Sequence, residues 1–234
     1  MPPTLSPPAP GWREPDAEAL SLEVAGDAAA SRGDDREALS CWSEALAALT
    51  SLPRPVEAAR VASKMAVSEE HLGEAEAACG HYAQAADFYK AAGDLHHVPM
   101  CLNNLAMLRK LGGKPEEAAA LLARALGEAS RCHGSVHGET ALIATNLGAV
   151  LCEAGDYLGA EQRHMQALAI REQLFGPAHP EVGLSLGHLG VIHQMRGATD
   201  RARSFYTSAL AILDEFPQLH VAERSILRDN LAGL

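Results

Sequence analysis

Asn104-Leu105-Ala106, Asn146-Leu147-Gly148, His188-Leu189-Gly190 and Asn230-Leu231-Ala232 follow one another at intervals of 42 residues. The same ruler continues upstream with uneven steps, to Leu72-Gly73 and Ala25-Gly26. Two alanine columns accompany it, Ala38, Ala85, Ala118, Ala160, Ala202 and Ala45, Ala92, Ala125, Ala167, Ala209. Self-similarity at a fixed period outranks local propensity as a fold signal, because each repeat is one supersecondary unit that buries its apolar face only by stacking on its neighbours. The pattern predicts stacked helical hairpins, an architecture that presents surface.

Composition agrees. Aromatic residues make up 4% of the 234 residues, and runs of Val, Ile and Thr that would make strands are missing. A net charge of −11, with the excess of acid in the N-terminal third, argues against nucleic acid as a partner, since phosphate binding needs clustered Lys and Arg. The five cysteines (Cys41, Cys79, Cys101, Cys132, Cys152) are odd in number and irregular in spacing. They suit free thiols in a reducing compartment. No basic-then-apolar leader opens the chain, and no apolar stretch nears the roughly 20 residues that span a bilayer. A cytoplasmic protein without membrane contact is the expectation.

Six prolines crowd residues 1–15, which predicts an extended or disordered arm there. Helices of the first kind are expected at about 16–32, 55–79, 95–112, 138–154 and 181–196. Their partners fall at about 34–51, 81–92, 115–131, 156–174 and 199–214, and a lone last helix covers about 220–233. Hairpins should turn at Gly33-Asp34, Gly80, Gly112-Gly113, Gly155-Asp156 and Gly197, with Gly closing one helix and Asp or Thr capping the next. The domain reading is an arm over 1–15, two divergent hairpins over 16–94, three regular ones over 95–215 and a capping helix over 216–234.

Leu147-Gly148, Gly155-Asp156-Tyr157, Ala160 and Ala167, with a bulky column at Trp42, Tyr89, Leu122, His164 and Tyr206, resemble the tetratricopeptide repeat. The run from Leu168 to Val182 and the 42-residue spacing resemble its kinesin-light-chain-like subtype. The resemblance implies an all-α, right-handed superhelical solenoid of about five antiparallel hairpins plus a C-terminal capping helix. It further implies a concave groove lined by the first helix of each hairpin, where the residue two before each small one faces a ligand. That column reads Val24, His71, Asn104, Asn146, His188 and Asn230. Asn at this place in such repeats bonds the backbone of an extended peptide, a task suited to a carboxamide that both donates and accepts.

Helical spacing puts further residues on the same stripe. Asn103, Met107, Thr145, Ala149, Val191 and Met195 join the groove, with Leu20, Val67, Met100, Leu142, Leu184 and Ile226 in a parallel column. Glu23, Asp27, Glu70 and Glu74 make an acidic groove end. The expected partner is therefore a protein or peptide ligand, apolar with a basic end. Self-association is one alternative. Carboxylate-clamp repeats need Lys and Arg where Met100, Leu142, Leu184 and His188 stand, so a chaperone-tail adaptor is not expected.

Eleven histidines raise a second alternative, a metal-dependent sensor or enzyme. No HExxH, GxSxG or P-loop occurs. His133 and His137 stand beside Cys132, but Gly134 lies between them, so they need not share a helix face, and no metal site is expected. His137 and His179 recur with the repeat, which predicts a loop-packing role; His164 and Trp42 read as packing residues. No cofactor and no catalytic residue is assigned.

Overall fold

The computed structural model describes residues 14–234, with side chains from residue 17. Apart from Glu14 and Pro15, which open the first helix, the expected Pro-rich arm lies outside the described residues, as does Trp12. Among the described residues there are eleven helices and no strand: α1 (Glu14–Ser31), α2 (Asp35–Thr50), α3 (Pro55–Leu72), α4 (Ala75–Ala91), α5 (Val98–Leu111), α6 (Pro115–Cys132), α7 (Gly138–Glu153), α8 (Tyr157–Phe175), α9 (Pro180–Met195), α10 (Thr199–Leu213) and α11 (Val221–Ala232). Among the described residues they form five hairpins and a single last helix, the number read from the sequence. No described helix is long and apolar enough to cross a membrane. All five cysteines are free thiols.

The helices begin and end where local chemistry directs. Asp34 accepts from the N–H of Glu37 (3.1 Å) and Asp156 from the N–H of Gly159 (2.9 Å), each satisfying a donor that the first helical turn leaves open. Pro115 opens α6, where its missing N–H costs nothing. Thr199 begins α10 instead of capping it; Ala198 holds the cap position without a side-chain bond.

The chain divides into two compact units, one ending at Cys101 and the other beginning at Leu102, so α5 gives its first turn to one and the rest to the other. Each unit is held by a recurring contact between a small residue on a first helix and a bulky one sixteen places on. In the first unit, Gly26 lies so close to Trp42 that an added Cβ would stand 2.5 Å from its Cδ1. In the second, a Cβ at Gly148 would meet the His164 ring at 2.7 Å, and one at Gly190 would meet the Tyr206 ring at 2.5 Å. Those separations are far inside van der Waals contact, so the ring of one helix fills the place where the other has no side chain.

This spacing corrects the second hairpin. Gly73 is not an interior small residue; it ends α3 in a left-handed conformation (φ 77°) and its N–H caps the Glu69 and Glu70 carbonyls. The small column passes through Ala66 and the bulky one through Tyr82, not Tyr89. The alanine columns pass through Ala78 and Ala85, each fully buried, not through Ala85 and Ala92. The uneven steps become 26, 66, 106, a regular 40 residues, followed by the 42-residue steps. The sequence reading slipped by seven residues, about two helical turns, which leaves every column on the same face.

The turn expected at Gly80 is thus the middle of α4, with nothing within 4 Å of an added Cβ. Gly80→Ala will raise stability by about 0.5–1 kcal/mol, the helix-interior penalty of glycine. Urea denaturation measures this; a loss of stability would restore the turn to Gly80.

Candidate binding site

The first-helix face of the second unit begins with a chain of carboxamides. Asn146 on α7 donates through Nδ2 to Oδ1 of Asn103 on α5 (2.8 Å), and Asn103 donates to Oδ1 of Asn104 (3.2 Å). Asn103 is buried; Asn104 and Asn146 are half-buried. The ladder expected to serve a ligand therefore also ties α5 to α7. Asn146→Ala leaves a buried acceptor on Asn103 without its donor and will cost about 1–2 kcal/mol. Thermal denaturation of the single variant reads the effect, and an unchanged midpoint would mean the bond contributes nothing.

The next rung rests on a side chain that sequence reasoning missed. Arg171 on α8 is buried and donates through one terminal nitrogen to the hydroxyls of Thr145 (3.0 Å) and Ser185 (2.7 Å), bridging α7 and α9. Its Nε lies 3.3 Å from the Glu181 carboxylate. The available signal was a broken column: buried Ala129 and Leu213 stand 42 residues to either side of it. Beside Arg171 the His164 and His188 rings lie 5.0 Å apart. His188 has an exposed face, yet the protein around it desolvates the ring and lowers its pKa, with Arg171 acting in the same direction. A side chain that is surrounded and still wet belongs to the floor of a concavity.

Between α9 and α11 the face opens into a cleft of about 150 Å³, lined by Leu184, Gly187, His188, Val191, Ile226 and Asn230 among others. Four sequence columns meet there. Gly187 sets the depth, since a Cβ on it would approach Leu227 to 2.9 Å. Ile226 is 57% exposed on one wall, and Met195 and Leu142 are exposed on the same helix faces. Leu20, Leu142 and Ile226 are thus surface residues, not core. A wider hollow of about 610 Å³ lies among α6, α7 and α8, with walls that mix Ala119, Leu126 and Leu151 with Gln162, Arg163 and Gln166.

A model of the tetratricopeptide repeat matches residues 57–127 and 139–215. The chain belongs to the tetratricopeptide repeat family. No curated protein matches the sequence. Among solved structures, BtubC (BKLC) from P. vanneervenii is similar at 23% identity and a TM-score of 0.73, over 89% of this chain and 94% of that one. A kinesin light chain with nearly identical TPR-like repeats from Podosopora anserina aligns at 17% identity and a TM-score of 0.70, over 88% and 99%. A Rap protein complexed with Competence and Sporulation Factor aligns at 19% and 0.59, over 92% of this chain and 64% of that one. At these identities the likeness is one of fold.

Within this tetratricopeptide fold, Met107, Thr145, Ala149, Val191 and Asn230 are half-buried on the first-helix face, and His188 and Met195 are exposed on it. The Thr145 hydroxyl is already engaged, donating to the Ala141 carbonyl and accepting from Arg171. The acidic end expected in the first unit is altered in two ways. Glu23 is buried and bound by Arg60 (2.8 Å) and Lys64 (2.7 Å), and Asp27 is bound by Lys64 (2.6 Å). Burial alone would raise the Glu23 carboxyl, but the bonds from Arg60 and Lys64 outweigh it and hold the pKa below its ordinary value. With the seven-residue correction the column places given to Glu70 and Glu74 pass to Ser63 and Val67. Glu70 accepts from the Tyr82 hydroxyl (2.5 Å), and Glu74 caps α4 within 3.9 Å of Arg36. Lys64 takes the place once given to His71. Glu23 and Asp27 are thus paired with Arg60 and Lys64 within the first unit, while Glu70 and Glu74 stay exposed.

Proposed function

We propose that the chain is a non-enzymatic adaptor that holds a segment of a protein partner on the first-helix face of residues 102–234. The segment is an extended peptide or a helix, and it seats an apolar side chain between α9 and α11. The observation that carries this reading is the cleft itself. His188 and Asn230 from one sequence column, Leu184 and Ile226 from a second and Val191 from a third line one apolar hollow. His188 and Asn230 flank it with groups that donate and accept, which suits a peptide backbone of any sequence. Exposed apolar side chains gathered on one face of a soluble domain mark an interaction site more often than they mark idle surface. The free thiols support a reducing, cytoplasmic setting for this adaptor.

Peptides selected from a random library on the immobilised protein test the reading. A selected peptide, titrated by fluorescence anisotropy, will bind Ile226→Glu at least tenfold more weakly than the parent, a loss of about 1.4 kcal/mol or more. Ile226 is exposed, so circular dichroism of the variant will match the parent. Equal affinity would remove the cleft from the binding site.

A further inference from the structure

The turn from α6 to α7 is repeated 42 residues later by the turn from α8 to α9, and the pair serve as controls for each other. In the later turn Phe175 stacks on His179 with ring centroids 4.6 Å apart. His179 Nδ1 accepts from the N–H of Glu181 (3.2 Å), and the Glu181 carboxylate faces the Arg171 guanidinium. In the earlier turn His133 stacks on His137, again at 4.6 Å, and His137 Nδ1 accepts from the N–H of Glu139 (3.2 Å). The recurrence confirms the loop-packing role of His137 and His179. The cation is what differs. Arg171 is replaced by Ala129, a buried methyl group. One Glu139 oxygen has His133 Nε2 at 3.3 Å; the other, Oε1, is buried with no hydrogen-bond partner. A buried carboxylate oxygen left unanswered is costly, and in the sister turn a positive charge answers it.

We infer that the α6–α7 turn binds one divalent transition-metal ion of the zinc class through His133, His137 and Glu139. Their ligand atoms lie within 4.8 Å of one another. Two imidazoles and a carboxylate are a donor set that zinc accepts, with bonds of about 2.0–2.2 Å. The 3.3 Å between His133 Nε2 and the Glu139 oxygen is close to the ligand-to-ligand spacing such bonds require. His137 exchanges one interaction for another. Binding through Nδ1 displaces the Glu139 N–H; binding through Nε2 moves the ring proton to Nδ1, which then no longer accepts. Gly134, which argued against a shared helix face, instead turns the chain (φ 87°) so that residues from the end of α6 and the start of α7 meet. The ion would clip those two helices together, and its affinity is independent of any ligand on the first-helix face.

The test uses the full chain stripped of metal and titrated with Zn²⁺ by calorimetry. One saturable site is expected, with a higher melting temperature when it is filled. His133→Phe installs the residue that the sister turn uses at Phe175, so the ring stack and the fold are kept while a ligand is lost. Its affinity for Zn²⁺ should fall at least tenfold, and that of Glu139→Gln, which is nearly isosteric, should fall likewise. Absence of a saturable site in the parent, or equal affinity in both variants, would overturn the inference. Should His133→Phe unfold by circular dichroism, Glu139→Gln alone decides.

Discussion

Tyr206→Ala will destabilise the second unit by about 3–5 kcal/mol, the range for truncating a large buried aromatic side chain. The melting temperature will fall by roughly 10 °C, given about 2–4 °C per kcal/mol at this chain length. Tyr206 is fully buried in a cluster with Ala202, Ala209, Leu210, Leu213 and Leu227, and its ring occupies the space left by Gly190. Its hydroxyl donates to Gln194 (2.5 Å), so truncation also strands a polar partner. The damage should stay in the second unit, because repeats couple mainly to their neighbours. Thermal denaturation followed at 222 nm reads the shift; a midpoint within about 2 °C of the parent would show that the small-against-bulky contact does not hold α9 to α10.

The second large effect is on pH. Burial pushes the His164 imidazole down to about 3, with His188 and Arg171 adding to the shift. In the unfolded chain the same ring titrates near 6.5. Below that value the unfolded chain takes up a proton that the folded chain refuses. The stability contributed by neutral His164 is therefore complete above about pH 6.5 and declines as pH falls toward about 3, by at most about 1.4 kcal/mol per pH unit. Between about pH 7 and about pH 5 the loss from this group is about 2 kcal/mol. His193, also buried and shifted down chiefly by desolvation, acts in the same direction. His164→Leu places in this column the residue that Leu122 already supplies one repeat earlier. Denaturation at the two pH values should show the parent losing about 2 kcal/mol more than the variant. Equal losses would mean that His164 charges in the folded state.

The second unit was largely legible in the sequence. Its 42-residue steps pin Gly148 and Gly190 to columns that only a small residue can fill, and the Gly-Asp turn at 155–156 anchors the register. The first unit was less so. Around Ala66 the small residue is one alanine among many, and a slip of seven residues keeps the apolar face intact, so periodicity alone cannot tell Ala66 from Gly73. The left-handed φ of Gly73 decides the matter, and that is a property of the folded backbone. The same slip gave Glu70 and Glu74 the column places that belong to Ser63 and Val67.

Pairing was the other blind spot. Nothing in the local pattern announces that Lys64 would neutralise Glu23 and Asp27, that Arg171 would reach Thr145 and Ser185, or that Asn146 would bond Asn103 across helices. Column logic places a side chain on a face. It does not say which neighbour on the next helix answers it. The column beginning at Leu20 shows the opposite case: its residues are apolar, yet Leu20, Leu142 and Ile226 stay at the surface because no helix covers that face of the first helices.

The most direct measurement of the central claim is amide hydrogen exchange of the full chain with and without a library-selected peptide. Binding on the first-helix face predicts slowed exchange across residues 184–195 of α9 and 223–231 of α11, centred on the cleft between Val191 and Ile226. Protection confined to α6 and α8, around the wider hollow lined by Gln162 and Arg163, would contradict it.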